Sequence, residues 1–183
     1  MSGSRGSLDA SLESIFSPRP VTYQPRVLVD LQPSEVAGLF IQRPGEATYA
    51  FYRDSAGNLG WSVDGRVQPG GVDGPGDESI RRLLSYASPI RFEKKEDEAS
   101  LRERGVLPDP REWIARLVVT AADGTEHRFE IYPLREQPDG SPDLFKALVR
   151  YNDAPGFLLI NYLYLDVLMR DPRGYFGPEG PRT

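Results

Sequence analysis

The stretch Val36-Ala37-Gly38-Leu39-Phe40-Ile41-Gln42-Arg43-Pro44-Gly45-Glu46-Ala47-Thr48-Tyr49-Ala50-Phe51-Tyr52-Arg53-Asp54-Ser55-Ala56-Gly57-Asn58-Leu59-Gly60-Trp61-Ser62-Val63 decides how the rest of the chain is read. Gly38 to Arg43 is β-branched and aromatic, and Pro44-Gly45 turns it. Thr48 to Arg53 alternates Tyr49 and Phe51 with Ala50 and Tyr52, and Ala56-Gly57-Asn58 turns again into Leu59 to Val63. Period-two apolar alternation between turn residues is the signature of antiparallel strands joined by hairpins, so this is a β-meander.

Upstream, Arg26 to Leu31 reads as a further strand. Downstream, Gly65 to Gly76 is rich in Gly, Pro and Asp and reads as a surface loop. Asp77 or Glu78 then caps a helix in which Ile80, Leu83, Leu84 and Ala87 keep the spacing of a face laid on a core, with Pro89 as its stop. Ile90 to Glu93 is a short strand, and Glu96 to Arg104 a short charged helix closed by Gly105.

After Leu107-Pro108-Asp109-Pro110 the grammar of the first half returns. Trp113 to Thr120, Arg128 to Tyr132, Phe145 to Tyr151 and Phe157 to Ile160 are strands, and Tyr162 to Met169 reads as a helix that is apolar nearly all round. Such a helix is either sandwiched within the domain or packed against another protein. The expected fold class is α+β: two related antiparallel β-meander units, each covered by a helix. The expected division is a tail over 1–25 with a short helix, a first unit over 26–104, and a second unit with a C-terminal tail over 105–183.

Composition bounds the chemistry. The 183 residues contain no cysteine, which excludes a disulfide scaffold, a thiolate metal site and a cysteine nucleophile. With 27 acidic against 22 basic residues and no basic stripe, nucleic acid is not the expected partner. The most apolar run, Gly156 to Met169, is interrupted by Asn161 and Asp166 and falls short of the roughly 20 residues a bilayer span needs, so no membrane span is expected. Met1 to Ser7 is small and polar, with nothing that directs export.

Candidate chemistry is sparse. His127 is the one histidine, in a strand pattern with no second ligand or serine motif at a productive spacing, and reads as an exposed or cross-strand structural residue. The glycines of Pro69 to Gly76 lack the lysine and hydroxyl of a phosphate loop. Asp73, Asp77 and Glu78 lack the ligand order of a calcium loop. Glu93-Lys94-Lys95-Glu96-Asp97-Glu98 reads as a solvated face. No catalytic residue, metal ligand or cofactor is expected. The residues expected to meet a partner are Leu12, Ile15 and Phe16, spaced for one face of the N-terminal helix, together with Tyr162, Tyr164 and Leu168.

Several of these features travel together: Leu31 to Ile41, the tryptophan strand Gly60 to Val63, the helix Ile80 to Ala87, the connector Arg104 to Pro110, the hairpin at Asp123-Gly124-Thr125 and the closing Leu159 to Phe176. In this combination the chain resembles the bacterial domain-of-unknown-function family 4340, whose members often lie beside gliding-motility-type ABC transporters. The resemblance implies a noncatalytic accessory module associated with a membrane complex through other protein subunits, and carries over no catalytic residue. A second expectation, from the residues themselves, is a small-ligand or envelope-sugar binding domain with a cleft between the two units.

Overall fold

The computed structural model describes residues 26–68, 76–137 and 139–165. These form an α+β fold, mostly antiparallel sheet with two helices. The quoted stretch folds as read: β2 (Val36–Gln42), β3 (Tyr49–Arg53) and β4 (Leu59–Val63) form a meander in which Leu39 faces Phe51 and Phe51 faces Trp61. Its second turn is held by Asp54, whose carboxylate accepts the N–H groups of Ala56 and Asn58. β1 (Arg26–Val29) pairs with β6 (Ile90–Phe92) in a separate two-stranded ribbon.

The second half supplies β8 (Ala115–Ala121), β9 (Glu126–Pro133), β10 (Lys146–Tyr151) and β11 (Phe157–Asn161). The first strand of each meander pairs with the other, Leu39 opposite Val119 and Ile41 opposite Leu117. One continuous sheet results. With the short strands β5 (Arg66–Val67) and β7 (Lys94–Glu96) at its edges, its order among the described residues is β5-β4-β3-β2-β8-β9-β10-β11-β7.

Side chains alternate across the sheet, so each strand feeds two layers. The front layer is the main core. Leu39, Phe51, Leu117, Ile131, Val149 and Ile160 meet Ile80, Leu83 and Leu84 of α1 (Asp77–Tyr86) and Val29, Ile90 and Phe92 of the β1–β6 ribbon. The back layer is smaller: Tyr132, Leu134, Leu148, Phe157 and Leu159 are covered by Leu101 of α2 (Glu98–Glu103) and by Val106, Leu107 and Trp113 of the connector. It covers only the β9–β11 side. Over β2, β3, β4 and β8 the back face is open, with Phe40, Tyr52 and Val118 half-buried there. Tyr52 lies flat on Gly60, where any β-carbon would come within 2.5 Å of its ring.

Several expectations are corrected. The charged run at residue 93 is not simply a solvated face. Lys94–Glu96 pairs with β11, and the Glu96 carboxylate is held by Lys94 at 2.6 Å and Arg104 at 3.1 Å. The helix expected from Glu96 therefore begins at Glu98, and Asp97 caps it by accepting the Ser100 N–H at 2.8 Å. In α1 the cap is Gly76 without a side-chain bond, and Asp77 and Glu78 occupy the first turn, where their charge complements the helix dipole.

Part of the expected loop, Arg66–Val67, folds back on Val63 and Ser62 as β5. The helix covering the second meander lies before it in the chain, as α2. In place of a helix from Tyr162 there is one 3-10 turn, Tyr162–Tyr164, started by Asn161 accepting the Leu163 N–H and closed from Leu165 to Tyr162. The rest of that segment, including Leu168, lies outside the described residues, as does the expected N-terminal helix with Leu12, Ile15 and Phe16. Among the described residues no helix is long and apolar enough to cross a membrane.

Candidate functional site

At the end of β11 the predicted partner residues separate in character. Tyr162 and Tyr164 are half-buried and pack on the main core, and burial pushes the Tyr162 hydroxyl above its ordinary pKa. Leu163 between them points outward, 83% exposed. Its neighbours across the sheet were not singled out from sequence: the Tyr162 N–H donates to the Phe145 carbonyl at 2.8 Å, which sets Leu144 and Phe145 at the same end of the sheet. They are 80% and 70% exposed. The backbone holds this end firmly, because Asp143 accepts the N–H groups of Phe145 and Lys146 at 2.7 and 3.0 Å while its own N–H reaches the Leu134 carbonyl. The signal was an apolar pair directly after Ser141-Pro142-Asp143, read only as the entrance to a strand.

A second feature lies on the open back face, at the seam between the two meanders. Cross-strand register aligns Arg116, Glu130 and Arg150 in one row, and Phe40, Val118 and Arg128 in the next. They line a cavity of about 290 Å³ whose rim carries Asn152 and Asp153. Glu130 is the hub. Its Oε1 accepts from Arg116 Nε at 2.8 Å and Nη2 at 2.6 Å, and its Oε2 accepts from the Tyr132 hydroxyl. Burial alone would raise the Glu130 pKa, yet the Tyr132 and Arg116 hydrogen bonds outweigh it and hold the carboxyl below its ordinary range. Tyr132 responds in the opposite sense, pushed up to about 12 by burial and by the adjoining carboxylate.

Both arginines of that row are held on aromatic rings. The Arg116 guanidinium sits 4.2 Å from the centre of Trp113, and that of Arg150 5.0 Å from Phe157. Among the described residues Arg150 has one long hydrogen bond, 3.4 Å to Glu98. Arg128 is bound through Nε and Nη2 to Glu126, while its backbone exchanges hydrogen bonds with Asn152.

His127 precedes Arg128 on β9, with Nδ1 2.7 Å from the Tyr151 hydroxyl on the neighbouring strand and the rings stacked at 6.2 Å. Among the described residues no group of three or more His, Asp or Glu is placed to hold a metal ion. No protein-family model, curated protein or solved structure matches the chain.

Proposed function

We propose that this chain is a noncatalytic interaction subunit of a larger, membrane-associated protein assembly, and that it docks on a neighbouring protein through the apolar end of the sheet at Leu144, Phe145 and Leu163. The observation that carries the reading is their exposure, 80%, 70% and 83%, on a backbone fixed by the Asp143 turn and the Phe145–Tyr162 hydrogen bond. Leu144 and Phe145 adjoin in the chain, the Phe145–Tyr162 hydrogen bond brings Leu163 to the same end of the sheet, and exposed apolar groups gathered on a rigid element mark an interface. Covering each such side chain is favourable by about 1.5–3 kcal/mol, and little ordering entropy opposes it where the backbone is already fixed. The partner surface is apolar, and Tyr162 and Tyr164, which flank Leu163 in the chain, pack on the main core.

The test compares three chains as bait on detergent-solubilised membranes of the source organism: the native protein, the double variant Phe145→Asp/Leu163→Asp, and Val67→Asp. Val67 is a control with 72% exposure at the far edge of the sheet. A defined set of proteins retained by the native chain and by Val67→Asp but lost from the double variant, whose melting temperature stays near native, supports the reading. Identical retention by all three, or unfolding of the double variant, ends it.

A further inference from the structure

We infer that the open-face cavity at the seam of the two meanders is a binding site for a small anionic, hydroxyl-rich ligand of the uronic-acid class. Its volume, about 290 Å³, lies at the small end of the roughly 300–1,000 Å³ typical of ligand pockets, and suits a single sugar ring. Arg116, Arg128 and Arg150 line it with Glu130 and Asp153; Arg116 is held tightly by Glu130 and Arg128 by Glu126, whereas Arg150 reaches Glu98 only at 3.4 Å. Both Glu130 oxygens are already engaged, by Arg116 and Tyr132.

Arg150 is the group with capacity to spare. A guanidinium carries five N–H donors in a planar fork, and among the described residues Arg150 makes one hydrogen bond, at 3.4 Å to Glu98, with its guanidinium 5.0 Å from the Phe157 ring centre. A fork of this kind matches a carboxylate in two parallel hydrogen bonds.

The remaining surface matches the rest of such a ligand. Phe40 and Val118 offer an apolar floor for the face of a ring. Asn152 and Asp153, both with left-handed backbone angles, φ +48° and +55°, also line the cavity. The Asn152 side chain is engaged, its Oδ1 accepting the Arg128 N–H and its amide bonding the Tyr151 side chain, so it fixes the rim while the Asp153 carboxylate offers an acceptor there. The Arg128 guanidinium as donor and the Asp153 carboxylate as acceptor both line the cavity and suit hydroxyl groups, which need both. The site is assembled on strands, so its geometry is set before any ligand arrives. It stands apart from the apolar end of the sheet and does not depend on that reading.

The experiment is calorimetric titration of the full chain with galacturonate, galactose and acetate. Galacturonate is expected to bind saturably and at least tenfold more tightly than either galactose, which lacks the carboxylate, or acetate, which lacks the ring. Arg150→Gln is expected to bring galacturonate down to the level of galactose. Arg128→Ala, a side chain 61% exposed and so safe for folding, is expected to weaken it severalfold. Galacturonate binding no tighter than acetate, or unchanged in Arg128→Ala and in a folded Arg150→Gln, overturns the inference.

Discussion

β8 and β11 belong to one sheet, yet they are buried in different ways. Along Ala115–Ala121 burial alternates, with Ala115, Leu117, Val119 and Ala121 inside and Arg116, Val118 and Thr120 half-exposed. Along β11, Phe157, Leu158, Leu159 and Ile160 are all buried. The difference lies in what covers the back face. α2 and the connector roof β11 there, whereas β8 faces the open cavity. A strand covered on both sides becomes a continuous apolar run, and one covered on a single side alternates. The polar positions of β8 and β9 thereby become the furniture of a groove, while the equivalent positions of β11 become core.

The sharpest way to break this comparison is to empty each layer in turn. Leu117→Ala, in the front core, is expected to cost about 3–5 kcal/mol, and Leu159→Ala, in the smaller back layer, about 2–3 kcal/mol, read from urea unfolding. A cost for Leu159→Ala within the roughly 0.5 kcal/mol of an ordinary surface change would mean that the back layer is not a true layer.

Gly156 tests how tightly the roofed side is closed. It holds φ +81°, and a β-carbon there would lie 2.7 Å from the Glu96 carbonyl, so the turn into β11 and the edge strand β7 demand this residue together. Gly156→Ala is expected to cost about 1–3 kcal/mol and to speed amide exchange in Lys94–Glu96. Unchanged exchange would show that β7 docks independently of that turn.

The smallest effect concerns the border between roofed and open faces, where Glu130 sits. Its folded pKa lies below the ordinary 4.5, so the stability it contributes is complete above that value and fades as pH falls through the folded pKa. Glu130→Gln is expected to flatten the acid limb of the stability profile. Tyr132 acts at the other extreme, where its contribution is lost as pH rises from 10 toward about 12. An acid limb unchanged in Glu130→Gln would remove this carboxylate from the account of the border.

Local pattern reached as far as local physics does. β4 occupies the Leu59–Val63 read from alternation, and Ile80, Leu83 and Leu84 of α1 face the core their spacing assigned them. What the pattern could not contain was pairing at a distance. Lys94–Glu96 looks like solvated charge until β11 offers it hydrogen bonds and Arg104 offers Glu96 a counter-ion. The groove is likewise drawn from Phe40, Arg116, Glu130 and Arg150 on four strands, which no spacing within one stretch brings together. The exposed end of the sheet was half legible: the segment at Tyr162 was singled out, but the outward residue proved to be Leu163, because the chain there makes a single 3-10 turn.

The seam between β2 and β8 also sets an order of events at synthesis. The first meander leaves the ribosome with one flank of β2 lacking its mate, and Leu39 and Ile41 meet Val119 and Leu117 only after α1, β6, β7, α2 and the connector have emerged. Until then that flank is a template for any passing strand. The interval during translation, rather than the finished molecule, is where this protein is most exposed to misassembly, and where a chaperone has most to shield.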